Sequence, residues 1–119
     1  MVNKESKSEE LALMMVKAMQ DIKADNIKVL DLRKLDYAVT DFFVVCEAES
    51  NTKVNAIFES IDKIVKENLG QDPVHIEGRD ENIWILLDYI DAVAHIFQPE
   101  ARKFYKLESL WAEASIKNY

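Results

Sequence analysis

Apolar residues recur at helical spacing in two stretches of the chain, and each stretch predicts an amphipathic helix. The first stripe is formed by Leu11, Met14, Met15, Ala18, Met19 and Ile22. The second is formed by Val54, Ile57, Phe58, Ile61, Ile64, Val65 and Leu69. Ser50 precedes the second stripe and can cap that helix with its hydroxyl, whereas Gly70 follows it and suits the position just past a helix end.

Short apolar runs outside these helices predict about five strands, at residues 27–32, 42–46, 74–77, 83–88 and 92–97. The run at 42–46 is continuous, which is typical of a central strand buried on both faces. Residues 83–88 alternate instead, so that Trp84, Leu86 and Asp88 point to one face of the sheet. A tight turn follows this strand, and the last strand is therefore expected to pair antiparallel with it.

One further helix is predicted near the end of the chain. Pro99 suits a first helical turn, and the carboxylate of Glu100 is favourable at the positive end of the helix dipole. Its apolar stripe consists of Phe104, Leu107, Leu110 and Trp111. Residues 113–119 are expected to be frayed.

The order of these elements predicts the fold class. Two strands separate the first two helices and three strands lead to the last one, which favours a single α/β (α+β) domain with a mixed β-sheet and helices packed on it. Residues 1–8 are interpreted as an N-terminal extension, 9–112 as the folded domain and 113–119 as a flexible C-terminal tail.

Composition narrows the class of protein. Of the 119 residues, 49% are hydrophobic, which is enough to build a core without disulfides. Cys46 is the single cysteine and can form no internal disulfide, as expected in a reducing cytoplasm. No apolar run approaches the roughly 18 residues of a membrane span, and residues 1–10 lack the apolar core of a signal peptide. A cytoplasmic protein without a membrane partner is therefore expected.

The charge pattern favours a basic protein as partner. The formal net charge is −7, and no cluster of Lys and Arg is present to neutralise phosphates, so direct nucleic-acid binding is not expected. Between residues 72 and 91 six carboxylates accompany a single base, Arg79. This acidic stretch suits docking onto a cationic surface, but solvated loops have the same composition, and both interpretations stay open.

Motifs for catalysis or cofactor binding are weak. His75, His95 and Cys46 lack the spacing of a metal site, so no metal or other cofactor is expected. A nucleophilic triad of Ser50, His95 and Asp88 would lack the G-x-S-x-G elbow, and no Walker or G-x-G-x-x-G loop is present. The chain is therefore predicted not to be an enzyme.

His95 and the two tryptophans each allow two interpretations. His95 shares a face with Val93 and Phe97, and is either a core histidine bonded to one partner or an exposed group beside Trp84 and Asp88. Trp84 alternates on a strand among carboxylates, which favours an interface anchor. Trp111 ends an apolar stripe, which favours a position in the core or at its rim.

Four ordered segments share a pattern with one known family. They are residues 40–46 (TDFFVVC), Glu77-Gly78 with Trp84, Leu87-Asp88 with residues 93–97 (VAHIF), and residues 102–111 in the form R-x-x-Y-x-L-E-x-L-W. Over about residues 11–111 the chain resembles the ribosomal silencing factor (Iojap-related) family. It departs from the family at 47–50 (EAES), where a glycine is usual in the turn.

The resemblance implies a function and a partner. Such proteins bind the fourteenth protein of the large ribosomal subunit, uL14, at the face where the small subunit docks, and so lower translation when nutrients are scarce. A nucleotidyltransferase-like fold without that activity is also implied. The expected partner-binding residues are Trp84, Asp88, His95, Phe97, Tyr105, Asp41 and Glu77. Two rival hypotheses are a small nucleotidyltransferase using Asp41, Asp88 and Glu77, and a self-associating module that forms a homodimer.

Overall fold

Helices and strands follow one another in the order predicted, with one strand and one short helix added. The computed structural model describes residues 4–119, with side chains from residue 7 onwards. The elements are α1 (Lys4–Asp21), β1 (Asp25–Asp31), β2 (Phe42–Glu47), α2 (Asn51–Leu69), β3 (His75–Glu77), β4 (Trp84–Asp88), β5 (Ala92–Phe97), α3 (Pro99–Tyr105), α4 (Leu107–Leu110) and β6 (Ser115–Asn118). They form one mixed α+β domain, which confirms the predicted fold class.

The strands form a single sheet in the order β3-β4-β5-β2-β1-β6. β2 and β5 pair in parallel at the centre, and all other neighbouring strands are antiparallel. The expected antiparallel pairing of β4 with β5 is confirmed, since Trp84 lies opposite Phe97 and Asp88 opposite Val93. β2 and β5 are the central strands and both of their faces are covered. A strand in such a position carries apolar side chains on both faces.

Helices α1 and α2 pack side by side on one face of the sheet, which we call the helix face. Their predicted apolar stripes pack into the larger core, together with strand residues such as Val44, Ile85 and Ala94. Ser50 caps α2 as predicted, since its hydroxyl accepts a hydrogen bond from the backbone N–H of Lys53 at 3.0 Å. Gly70 ends the helix in a left-handed conformation, with φ of 63°.

The opposite face, which we call the open face, carries a smaller core. It consists of Leu30, Leu32, Val45, Phe97, Ala101 and Leu107. The short helices α3 and α4 and the segment between β1 and β2 cover it only in part. The two faces of the sheet are therefore unequal: one is closed by two long helices, and the other keeps large side chains near solvent.

The prediction of one continuous C-terminal helix is wrong. The helix breaks at Lys106, which has a φ of +50° and separates α3 from α4. Leu107 is buried, but the side chains of Phe104 and Leu110 are 79% and 73% exposed. A left-handed residue interrupts the 3.6-residue period, so side chains four apart across the break no longer share a face.

The prediction that residues 113–119 are frayed is also wrong. This segment contains β6, which pairs antiparallel with β1 and places Ile116 opposite Leu30. The sheet therefore has six strands rather than about five. Without β6 the N–H and C=O groups on the outer side of β1 would lack partners. The side chains of β6 are all exposed, so the segment carries no apolar alternation that predicts a strand.

The turn at 47–50 forms without the glycine that the family resemblance leads one to expect there. Ala48 does not have a positive φ, and its N–H donates to the carbonyl of Phe97 at 2.9 Å. Its methyl group is fully buried in the larger core. An alanine is compatible with this backbone, because no left-handed conformation is required.

Candidate partner-binding surface

Aromatic side chains gather on the open face and form a connected group of rings near solvent. We call Tyr37, Phe43, Trp84, Tyr105 and Trp111 the aromatic surface. The three residues Trp84, His95 and Phe43 come from the adjacent strands β4, β5 and β2, whose alternation points them to the same side. Tyr105 comes from α3 and Trp111 from the end of α4, so the C-terminal helices complete the surface.

Trp84 lies at the centre of the contacts and is partly buried. Its ring stacks on Phe97, with 4.7 Å between centroids, and meets the ring of Tyr105 at 4.8 Å. Its Nε1–H donates a hydrogen bond to Nδ1 of His95 at 3.0 Å. Three groups therefore fix one indole, and Tyr105 beside it remains 50% exposed.

His95 is a core histidine bonded to one partner, which confirms the first of its two interpretations. Only 3% of the residue is exposed. Burial lowers the pKa of His95 to about 3, because a charged imidazole would lose its hydration there. The ring is therefore neutral near pH 7, with its proton on Nε2, since Nδ1 accepts from Trp84. Nε2 is buried and has no hydrogen-bond partner within the part of the chain described.

Phe43, Trp111 and Tyr37 extend the surface beyond the residues predicted. Phe43 meets His95 edge to face at 4.8 Å and Trp111 at 5.4 Å, and Trp111 stacks on Tyr37 at 5.5 Å. Trp111 is partly buried, which agrees with a place at the rim of the core. Phe43 was missed because the continuous run 42–46 shows no alternation. Phe43 pairs with Val93, which lies two residues before His95 in β5. Phe43 and His95 therefore point to the same face of the sheet.

The three predicted carboxylates do not lie together. Asp88 is on the open face opposite Val93, and its Oδ1 accepts from the N–H of Ile90 at 2.7 Å. Glu77 is exposed on the edge strand opposite Leu86, with 3.1 Å between its Oε2 and Nε2 of His75. Asp41 instead accepts from the hydroxyl of Ser8 in α1 at 2.6 Å, on the helix side.

The structure therefore brings together Trp84, His95, Phe97 and Tyr105, places Asp88 and Glu77 on the same face, and separates Asp41 from them. Phe97 is fully buried, so it and His95 support Trp84 from below and do not reach the surface.

The residues considered for a metal site or a nucleophilic triad do not form either arrangement in the structure. Among the side chains described, those of residues 7–119, no three His, Cys, Asp or Glu groups are close enough together to hold a metal ion. The hydroxyl of Ser50 caps α2, and His95 is bonded to Trp84, so the two residues considered for a triad have other partners. Cys46 is fully buried, and this burial raises the pKa of its thiol. The arrangement on the open face is suited to binding.

An ion-pair network holds the C-terminal helices against the sheet. Arg102 is only 8% exposed, and its Nε donates to Glu108 at 2.8 Å. Its Nη1 donates to the carbonyl of Asn26 at 2.7 Å and to the carboxylate of Glu47 at 3.0 Å. Lys28 adds a second contact to Glu108 at 3.1 Å. The network joins both sides of the α3–α4 break, and so fixes the helices that carry Tyr105 and Trp111.

Comparison with protein families identifies the chain over nearly its whole length. Residues 5–118 match the family model described as ribosomal silencing factor during starvation. The ribosomal silencing factor RsfS of Halalkalibacterium halodurans is 33% identical over 107 residues, which are 90% of either chain. That of Bacillus subtilis is 36% identical over 83% of this chain and 82% of its own. The chloroplastic protein Iojap of Zea mays is 38% identical over 87% of this chain and 44% of its own.

Solved structures of related proteins share the fold. A crystal structure of a protein from Chromobacterium violaceum matches with a TM-score of 0.82 at 34% identity, covering 87% of this chain and 85% of that one. A crystal structure of a Bacillus halodurans protein matches with a TM-score of 0.76 at 33% identity, covering 87% and 94%. Within the described residues no helix is long and apolar enough to cross a bilayer. From the match over residues 5–118 and these relatives, the chain belongs to the ribosomal silencing factor family.

Proposed function

We propose that this protein binds the large ribosomal subunit through its fourteenth protein, uL14, and sterically blocks association with the small subunit. Translation is thereby repressed when nutrients are limiting. The observation that carries the proposal is the family match over residues 5–118, which includes every residue of the aromatic surface. The protein acts by occupying the face where the small subunit joins, so the proposed mechanism makes and breaks no covalent bond. We propose that it acts in the cytoplasm.

The aromatic surface supports the proposal as the docking site. Tryptophan and tyrosine supply much of the affinity at protein interfaces, where a fixed ring excludes water over a large area. Trp84 is fixed by its neighbours, and Tyr105 beside it is half exposed. Asp88 and Glu77 lie on the same face of the sheet as this apolar centre.

The charge of the molecule supports a basic protein as the occupant. With a net charge of −7 the chain is repelled by the phosphates of ribosomal RNA. A cationic protein patch is the part of a ribosome with which this surface is electrostatically complementary. Carboxylates on the same face as the rings raise the association rate and fix the orientation, while the rings provide affinity.

The proposal is tested with purified subunits. We expect Trp84→Ala to weaken large-subunit binding by about 2 kcal/mol, which is about 30-fold in affinity. In sucrose gradients the wild-type protein should keep the subunits apart, whereas the variant should let them join. Tyr119→Ala is the matched control, because this ring is 41% exposed in a groove beside α1, away from the aromatic surface.

Two outcomes contradict the proposal. If the wild-type protein leaves large subunits unbound and free to join, the function is wrong. If Trp84→Ala is folded and still binds as tightly as wild type, Trp84 is not the anchor. Sedimentation of the protein with and without subunits distinguishes ribosome binding from the formation of a homodimer.

A further inference from the structure

The indole of Trp84 has already used its hydrogen-bonding capacity inside the protein. An indole carries one donor, Nε1–H, and no acceptor. That donor is bonded to His95 at 3.0 Å. A binding partner therefore meets Trp84 as an apolar ring and gains nothing by offering it a carbonyl or carboxylate oxygen.

The acceptor on His95 is held in place by its surroundings. The imidazole is almost completely buried, and the rings of Phe43, Trp84 and Phe97 lie around it at centroid distances of 4.8, 5.8 and 6.1 Å. Because the ring is neutral, Nδ1 keeps a free lone pair for the indole proton. A protonated ring would have no acceptor to offer, so burial preserves the contact.

We infer that His95 is a positioning residue for the docking surface: by accepting the N–H of Trp84 it fixes this indole as an apolar platform for an apolar or aliphatic group of the partner. The inference deepens the proposed function and rests on it. A tryptophan at a partly exposed site can change rotamer to bond its N–H to water. Fixing the rotamer in advance removes that ordering cost from the binding step.

Two variants separate the hydrogen bond from the volume of the side chain. His95→Asn keeps an acceptor oxygen at the place of Nδ1, whereas His95→Leu has the same branching and no acceptor. In NMR spectra of the free protein, the indole proton of Trp84 is assigned by its disappearance in Trp84→Phe. We expect this resonance to shift upfield in His95→Leu and to stay near its wild-type position in His95→Asn. An unchanged resonance in His95→Leu overturns the inference.

Affinity for the large subunit provides the second readout, at a temperature where every variant is folded. We expect His95→Leu to bind about 10-fold more weakly and His95→Asn to stay within about 3-fold of wild type. In a Trp84→Phe background no indole N–H remains, so adding His95→Leu should change affinity by less than about 2-fold. Equal losses in both backgrounds would show that His95 only supports the fold, which overturns the inference. If His95→Leu does not fold, His95→Phe replaces it, since a phenyl ring fills the site without an acceptor.

The two proposals fail in different ways. If the wild-type protein does not bind large subunits, the proposed function is wrong and the docking role of His95 is wrong with it. If the wild-type protein binds and His95→Leu binds equally well, only the role of His95 is wrong.

Discussion

Ile90 is held in a conformation that β-branched residues rarely adopt. Its φ is +74°, at the centre of the turn between β4 and β5, where the N–H of Asp91 donates to the carbonyl of Tyr89 at 2.9 Å. Asp88 supports this turn by accepting the N–H of Ile90. The side chain of Ile90 is 60% exposed, so little packing offsets the strain.

Replacing this residue by glycine should therefore stabilise the protein. We expect Ile90→Gly to raise the free energy of unfolding by about 1 kcal/mol in urea titrations, because glycine adopts positive φ without a steric cost. Ile76→Gly is the control, since this exposed β-branched residue lies in a strand and has no positive φ. It should lower stability. A loss of stability in both variants would mean that Ile90 is not strained.

The face on which a residue lies could be predicted where its strand or helix has a regular apolar period. Alternation correctly placed Trp84 with Asp88, and His95 with Phe97, on shared faces. Alternation did not decide whether His95 is buried, because the burial of its ring depends on Phe43 in β2 and on the helices that follow β5. Asp41 was grouped with the surface from its place in a family motif, whereas its side chain bonds to α1.

At the scale of elements, α3 and α4 depend on polar contacts more than on an apolar stripe. Arg102 and Leu107 are their anchors, and Phe104 and Leu110 stay exposed. Glu108 joins the network from α4. Burial tends to raise the pKa of Glu108, but hydrogen bonds and charges from Arg102 and Lys28 outweigh it and hold this pKa below its usual value. The carboxylate is therefore more favourable in the folded chain than in the unfolded one.

Removing this charge should weaken the attachment of the helices. We expect Glu108→Gln to lower the free energy of unfolding by about 1 kcal/mol at pH 7, because two charge-assisted hydrogen bonds are lost at a partly exposed site. A lowered folded pKa stabilises above the usual value of 4.5 and ceases to do so as the pH falls through the folded value. The deficit of the variant should therefore shrink below pH 4.5.

Denaturant titrations at several pH values measure this effect. Glu113→Gln is the matched control, because Glu113 is exposed and lies just after α4. A constant deficit from pH 7 to pH 3 would contradict the electrostatic origin of the stabilisation.

The long helices and the central strands could be predicted because each buries a regular apolar pattern. The elements that were missed lack one. β6 pairs with β1 through its backbone, and every one of its side chains is exposed. The break at Lys106 is a left-handed backbone conformation, and a lysine in the sequence gives no sign of it.

At the scale of the whole molecule, the sheet has one face closed by helices and one face available for a partner. Acidic residues are spread over the surface, and Asp88 and Glu77 lie on the open face with the aromatic rings. Long-range repulsion or attraction depends on net charge, while orientation depends on charges close to the interface. The two contributions can be separated by making the same change of charge at two sites, one on the open face and one far from it.

We expect Asp88→Lys to weaken large-subunit binding and to reduce its dependence on salt concentration. Glu67→Lys makes the same change in net charge on the exposed side of α2, distant from the open face, and should have a smaller effect on both. Binding measured across a salt series, with circular dichroism to show that each variant is folded, makes the comparison. A salt slope that Asp88→Lys leaves unaltered would contradict a local electrostatic role.

The burial of Cys46 determines how the molecule responds to thiol reagents. Its sulfur lies in the middle of the sheet beneath α1 and α2, and the raised pKa keeps it protonated. Alkylation in the native state therefore has to wait until the sheet opens, and its rate reports the frequency of those openings. A second cysteine introduced at an exposed site would react long before Cys46, which makes the natural sequence a ready background for attaching a single dye.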